Sequence, residues 1–453
     1  MVDRPALIQT GCSIVGGGPA GAMLGLLLAR SGVDVTVLEK HGDFLRDFRG
    51  DTIHPSTLEI LDQLGLAEDF LSLRPNLTPV LSGETPLGPV AIDFRRLRTR
   101  FRYIAFIPQW DFLEFITQRA APLPGFHLRM NSEAVDLVVE DGQVRGVRVE
   151  EPGGALDVRA ALTVAADGRS SLLRERAGLP LVNTSPPVDV LWFRLSRRPG
   201  DPEQALGRVG AGGVLVLLNR GGYWQTAYTI PKGSFQVLRA AGLQALRSAI
   251  AARAPELADR VQELTSWEQV RLLTVQANRL TRWYRPGLLC IGDAAHAMSP
   301  VAGVGINFAI QDAVEAANRL TGPLLAGRVG LSDLAAVQRR RAWQVRTMQF
   351  MQARALEGAL RLANPSRPRG PAVARLVLRA FRHLPLLRDL PARVVGLGFR
   401  RVRVRPPAGG LGVSPAREGV PAGASAPRAG AGSPGRTSPA PAWPRPPAGP
   451  RGR

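Results

Sequence analysis

Three segments carry residues whose types and spacing could do chemistry. Gly16, Gly18, Ala20 and Gly21 lie in Gly16-Gly17-Gly18-Pro19-Ala20-Gly21, a G-x-G-x-x-G spacing between the apolar run CSIV and the apolar-periodic PAGAMLGLLLAR. Glycines there allow a tight turn and close backbone approach to a pyrophosphate, and the start of the next helix supplies partial positive charge. Glu39 ends the following apolar run, VDVTVLE, where a carboxylate can accept hydrogen bonds from a ribose. Alone, this unit implies only a dinucleotide. The second segment, Leu288 to His296, is an apolar run ending in Gly292-Asp293. A carboxylate at a strand's carboxyl end can take hydroxyl hydrogen bonds, and the glycine leaves room for the group that carries them. The third runs from Pro300 to Asn307 with Gly303 and Gly305 between, ahead of the helical NFAIQDAVEAANRL. Backbone groups and a helix N-terminus there would stabilise negative charge.

Taken in this order, the segments resemble the FAD-dependent monooxygenase family typified by para-hydroxybenzoate hydroxylase, the single-component aromatic hydroxylases. The resemblance implies that Asp293 binds the ribityl chain of FAD, and that Pro300, Gly303, Gly305 and Asn307 belong to a P-x-x-G-x-G-x-N loop beneath the flavin ring. It also implies that Asp167 to Arg174, which matches D-G-x-x-S-x-x-R, serves both FAD (Asp167) and NADH or NADPH (Asp167, Arg174). Arg49 in FRGDTIHPS and Gln109 in IPQWDFL align with positions that contact FAD, and Lys40 joins Glu39 among the cofactor contacts. TAYTIP at 226–231 sits where flavin halogenases carry W-x-W-x-I-P, but Thr226 and Tyr228 replace the tryptophans, which counts against halogenation.

These segments need elements to hold them. A chain of 453 residues, 45% hydrophobic and 21% charged, is long enough for two packed domains and lies in the globular range. The fold class expected is α/β, a Rossmann-like FAD-binding domain interleaved with a smaller mixed-sheet substrate domain, followed by C-terminal helices and a disordered tail. The FAD-binding domain is placed at 1–181 and 271–330, the substrate sheet at 182–270, the helices at 331–405 and the tail at 406–453. A helix is expected near 55–65 with Ser56 as its N-cap. FHLRM, AVDLVVE, VRGVRVE and LDVRA read as a small antiparallel meander, and ALTVAA as a separate strand rejoining the main sheet. GLLCIGD then returns the chain to that sheet. The tail is Pro, Gly, Ala, Ser and Arg, with too few large apolar residues to offset the entropy of ordering.

The formal charge is +21, but residues 361–453 hold 18 Arg against two acidic residues, so the body is only mildly basic. That distribution, with Arg far outnumbering the two lysines, argues for composition rather than a nucleic-acid surface. Two cysteines, Cys12 and Cys290, each inside an apolar run, exclude a disulfide framework. No metal site is expected. No signal peptide or 18-residue apolar run is visible, so the expected location is the cytoplasm.

The mechanism the resemblance implies is reduction of non-covalent FAD by NAD(P)H, formation of a flavin hydroperoxide with O2, and transfer of one oxygen to an organic, aromatic substrate. No catalytic side chain is assigned, because the cofactor does the chemistry. His54 and His296 read as turn or capping residues. The substrate is expected against a sheet face bearing Trp192, Arg194, Trp224 and Tyr228. Two rivals remain open: a same-fold flavin reductase that makes no use of oxygen, and a non-catalytic FAD-binding interaction protein using the Arg-rich C-terminus.

Overall fold

The N-terminal apolar run forms β1 (Ala6–Val15), whose second half is buried on both faces, as a central parallel strand requires. The computed structural model describes residues 6–45, 52–203, 205–210, 213–363 and 388–405. The expected tail at 406–453 and the stretch 364–387 lie outside these residues.

β1 sits inside an eight-stranded sheet with β2 (Val35–Glu39), β8 (Phe126–Met130), β11 (Gly154–Ala165) and β20 (Leu288–Cys290), in the order β20-β11-β1-β2-β8, all parallel. β19 (Tyr284–Arg285) pairs antiparallel on the outer edge of β20. β9 (Glu133–Glu140) and β10 (Gln143–Glu151) form a hairpin whose second strand pairs antiparallel with the first half of β11. The sequence reading is corrected in two places. LDVRA and ALTVAA belong to one long strand, β11, whose outer edge is shared between β10 and β20. FHLRM is not in the meander, because β8 pairs parallel with β2 in the main sheet.

α1 (Pro19–Arg30) crosses from β1 to β2 and packs against α4 (Gln109–Ala120) and α8 (Gly305–Leu325). At the start of α8, a three-stranded sheet joins β3 (Thr52–Ile53), β4 (Asn76–Thr78) and β7 (Ile104–Phe106). α2 (Pro55–Gln63) follows β3 and leads to α3 (Ala67–Ser72). Its N-cap is His54 rather than Ser56: Pro55 occupies the first helical position, where its missing N–H costs nothing, so the boundary falls earlier than expected.

A second sheet, of seven strands, runs in the order β17 (Arg271–Leu273), β13 (Val188–Ser196), β16 (Tyr223–Pro231), β15 (Gly213–Asn219), β14 (Leu206–Gly210), β5 (Val80–Thr85) and β6 (Gly88–Asp93). Residues 80–93 therefore join a sheet that the sequence placed only within 182–270. One of its faces is covered by α7 (Leu243–Arg253), with α6 (Phe235–Ala240) alongside; Leu191, Phe193, Leu195, Trp224 and Tyr228 pack there on Leu246 and Ile250. β12 (Leu181–Asn183) and β18 (Asn278–Leu280) pair where the chain leaves and re-enters the first sheet's neighbourhood, and α5 (Leu172–Arg176) lies just after β11. α9 (Leu331–Ala363) packs along α8, and α10 (Leu390–Leu397) packs on α2. No described helix is long and apolar enough to cross a membrane.

Candidate functional site

The glycine loop stands at the carboxyl end of β1, where the chain order in the sheet reverses between β2 and β11 and a crevice must open. Gly16 has φ +105°, and a Cβ there would lie 2.3 Å from the Ala166 carbonyl oxygen; a Cβ on Gly21 would lie 1.9 Å from that of Gly16. These two glycines are required by packing. Gly18 faces open space and caps α1 without any side-chain acceptor on the helix's first N–H groups. A bound phosphate is the natural partner for them.

Glu39 is buried at the end of β2, where its Oε2 accepts the Gly17 N–H at 3.0 Å and its Oε1 accepts the His41 N–H at 3.1 Å. It is thus held against the loop with a carboxylate at the crevice. Lys40 is exposed and lies 3.9 Å from Glu133. Arg49 lies outside the described residues.

Gly292-Asp293 follows β20 as expected. Asp293 Oδ2 accepts from Arg169 Nε at 3.1 Å, a partner the sequence reading passed over although Arg169 lies inside D-G-x-x-S-x-x-R. Arg174 in the same motif is buried and donates to the Ala294 carbonyl at 3.0 Å and the Arg169 carbonyl at 2.7 Å. In this structure it ties the two aspartate segments together. Asp167 Oδ2 accepts the Leu173 N–H at 3.2 Å, while its Oδ1 is buried with no hydrogen-bond partner. Burial pushes the Asp167 carboxyl up, with Ser171 and Leu173 opposing that shift. A carboxylate raised in the fold costs stability that grows as pH rises above its unfolded value. Asp167→Asn is therefore expected to melt higher than the parent as apo-protein at pH 7 by calorimetry; a lower melting point would mean that the buried charge is not the cost.

The loop before α8 combines Ala302 and Gly303 in left-handed conformations, with φ +62° and +60°. A Cβ on Gly303 would lie 2.3 Å from Thr52 Oγ1, which donates to the Gly303 carbonyl at 2.7 Å. Pro300 precedes this turn and Gly305 opens α8. Asn307 is buried: its Oδ1 accepts from the His54 N–H and Thr57 Oγ1, each at 2.8 Å, and its Nδ2 donates to the Thr52 carbonyl at 2.9 Å. Its amide clasps the loop to β3 and α2. Gln109 is half-buried at the first turn of α4.

His54 and His296 are both buried. The Nδ1 of His54 donates to the Val395 carbonyl at 2.8 Å, and its Nε2 has no hydrogen-bond partner. Burial lowers its pKa to about 4, against the backbone hydrogen bond. The unfolded chain then binds a proton that the fold refuses, so stability is full above about pH 6.5 and is lost as pH falls toward about 4, by about 3 kcal/mol. Urea titrations at pH 7 and 4.5 should show that His54→Gln loses less stability between the two than the parent; parallel losses would count against this account.

The second sheet corrects the expected substrate face. Register pairs Trp192 with Ala227 and Arg194 with Gln225, but Leu191 with Tyr228 and Leu195 with Trp224. Because directly paired residues share a face, Trp192 and Arg194 lie on one side, Trp224 and Tyr228 on the other. Leu218, which pairs with Gln225, packs with Ile104 and Phe106 of β7, so the Trp192 side is the one turned toward the three-stranded sheet. Tyr228 instead lines a separate cavity of ≈ 540 Å³ with Arg208 and Arg253.

The family model described as an FAD binding domain matches residues 9–350. Over 413 residues the chain is 34% identical to 6-methylpretetramide 4-monooxygenase of Streptomyces rimosus, covering 88% of this chain and 94% of that one. The chain belongs to the FAD-dependent monooxygenase family. This monooxygenase is also 30% identical over 326 residues to the 12-dehydrotetracycline 5-monooxygenase/anhydrotetracycline 6-monooxygenase of the same species, spanning 69% of this chain and 63% of that relative's length. The fold of p-nitrophenol 4-monooxygenase from Pseudomonas putida is alike, with a TM-score of 0.71, 22% identity and coverage of 88% of this chain and 100% of that one. Relatives named as monooxygenases thus support oxygen insertion, and not the reductase or non-catalytic reading. The groups present suit FAD: an uncapped helix start facing open space, a buried carboxylate beside it and an orphaned Asp167 oxygen.

Proposed function

We propose that the monooxygenase takes its electrons from NADH or NADPH, works in the cytoplasm, and hydroxylates an aromatic compound held between the Pro300–Asn307 loop and the Trp192 face of the second sheet. In this reading the α1 N-terminus and Gly16, Gly18, Ala20 and Gly21 hold the pyrophosphate, and Glu39 with Lys40 the adenosine ribose. Asp293 takes the ribityl hydroxyls, with Arg49 and Gln109 as further FAD contacts. Bound FAD supplies electron transfer and oxygen activation. The protein supplies position and charge: the α8 N-terminus and the backbone at Gly303 and Gly305 favour negative charge on the ring, and Pro300 and Asn307 fix the loop. In the same reading Asp167 and Arg174 serve the nicotinamide nucleotide, and Trp192 and Arg194 offer a flat apolar surface and a cation to an aromatic anion.

The observation that carries this reading is near full-length similarity to a named monooxygenase, combined with an intact glycine-loop and Gly292-Asp293 geometry. The test loads the purified protein with FAD and follows NADH and NADPH oxidation with 6-methylpretetramide and simple phenols under ¹⁸O2. Expected is substrate-stimulated oxidation of one nucleotide with label in the product. Substrate-stimulated oxidation that persists without oxygen, or unlabelled product, would defeat the proposal.

A further inference from the structure

Behind the Gly292-Asp293 turn lies an ionic cluster sealed from solvent. Asp312 on α8 and Arg341 on α9 are both fully buried, with Arg341 Nε 2.7 Å from Asp312 Oδ1. The other guanidinium nitrogens donate to Gln311 Oε1 at 2.9 Å and to the Phe308 carbonyl at 3.3 Å. The second oxygen of Asp312 accepts from His296 Nε2 at 2.6 Å and from the Gly292 N–H at 3.0 Å. His296 is held in turn beside the Trp283 ring, 5.0 Å between centroids.

Buried charges are a poor route to stability, since apolar residues of similar volume often serve as well or better. The connections of this cluster point to a different role. Gly292 has φ +58°, and a Cβ there would press on Ala20 and Ala309, so the turn is confined between α1 and α8. Asp312 fastens its N–H, and the next side chain is Asp293. Further along α9, two glutamines brace the segment that follows. Gln349 Nε2 donates to the Asn278 and Ala297 carbonyls at 2.8 and 3.0 Å, and Gln352 Nε2 to the Ser299 and Val301 carbonyls at 2.9 and 2.7 Å. Arg341, Gln349 and Gln352 are spaced to share one helix face. A buried polar stripe thus splints the chain from Gly292 to Val301 from behind.

We propose that Asp312, fixed by Arg341 and His296, is a positioning residue that sets the Gly292-Asp293 turn and through it the affinity for FAD. This rests on the reading that Asp293 holds the ribityl chain. Asp312 acts only through the Gly292 amide and the turn that follows.

The test titrates FAD into apo-protein, following flavin fluorescence and its polarisation, with apo melting temperatures measured beside. Asp312→Asn combined with Arg341→Met removes both charges at near-constant volume. That double variant is expected to melt close to the parent yet bind FAD at least tenfold more weakly, with lower polarisation of the flavin that is bound. His296→Gln, which leaves the Asp312 and Arg341 pair intact, should weaken binding by a smaller factor of about three, and serves if the double variant does not fold. Asp293→Ala is the control. Parental FAD affinity in the folded double variant, or in His296→Gln if the double variant fails to fold, overturns the positioning role while a weakened Asp293→Ala keeps the ribityl reading. Parental affinity in Asp293→Ala removes that reading and the proposal with it.

Discussion

Gly18→Val should leave the fold standing and severely weaken flavin binding. Nothing lies within 4 Å of the position a Cβ would take, and the backbone at φ −69°, ψ −175° is open to any residue. The cost to the fold is the loss of a tolerated N-cap, about 1 kcal/mol. The cost to the ligand is larger. Two methyl groups would fill the space a pyrophosphate needs and cover the uncapped N–H groups of α1, removing several charge-assisted hydrogen bonds. FAD should bind at least about a hundredfold more weakly, roughly 3 kcal/mol, by titration of the apo-protein. Gly21→Val provides the contrast: its side chain collides with the Gly16 carbonyl, so it should fail as a folded protein. Parental FAD affinity in Gly18→Val would move the pyrophosphate away from this loop.

The two tryptophans of the second sheet should respond differently to truncation. Trp224 is 1% exposed, packs under α7, and donates from Nε1 to Asp201 Oδ2 at 3.0 Å, an aspartate that also pairs with the buried Arg260. Trp224→Ala should cost about 3–5 kcal/mol, since it opens a large cavity and removes one donor from the half-buried Asp201 carboxylate. Trp192→Ala, on the other face, removes a half-buried side chain packed on Val190, Ala227 and Leu273, so it should cost less stability than Trp224→Ala, and it should raise the KM for the aromatic substrate about tenfold or more, with FAD affinity intact. Chemical denaturation and steady-state kinetics on the two variants decide the matter. A Trp192→Ala enzyme with parental KM for every substrate would separate this face from the binding site.

What could be read from the sequence follows from how local each feature is. The glycine loop, Gly292-Asp293 and the strands ahead of them are short, contiguous patterns whose chemistry is written in neighbouring residues, so their positions were legible. Alternation within β13 and within β16 was legible too, but not which residue of one strand stands beside which of the other. That register depends on a connection through β14 and β15, and a slip of one residue exchanges faces, which is why Trp224 and Tyr228 were grouped with Trp192 and Arg194. β5 and β6 escaped the second sheet because β5 meets β14 across more than a hundred residues of sequence. Asn307 was visible as a motif residue, but its clasp on His54 and Thr57 was not. Asp312 and Arg341 read as ordinary polar positions on helices; only tertiary packing brings both to zero exposure.

The strand order has a consequence for how the protein is made. β11 is flanked by β1, which precedes it in the chain, and over Thr163–Ala165 by β20, which is made more than a hundred residues after it. At roughly 5–20 residues per second, a nascent chain holds that edge of β11 bare for something on the order of ten seconds. A bare, apolar strand edge invites pairing with other chains, and the cofactor cannot protect it, since Asp293 has not yet emerged. Yield of yellow, folded protein should therefore respond to translation speed and chaperone supply more than to riboflavin in the medium.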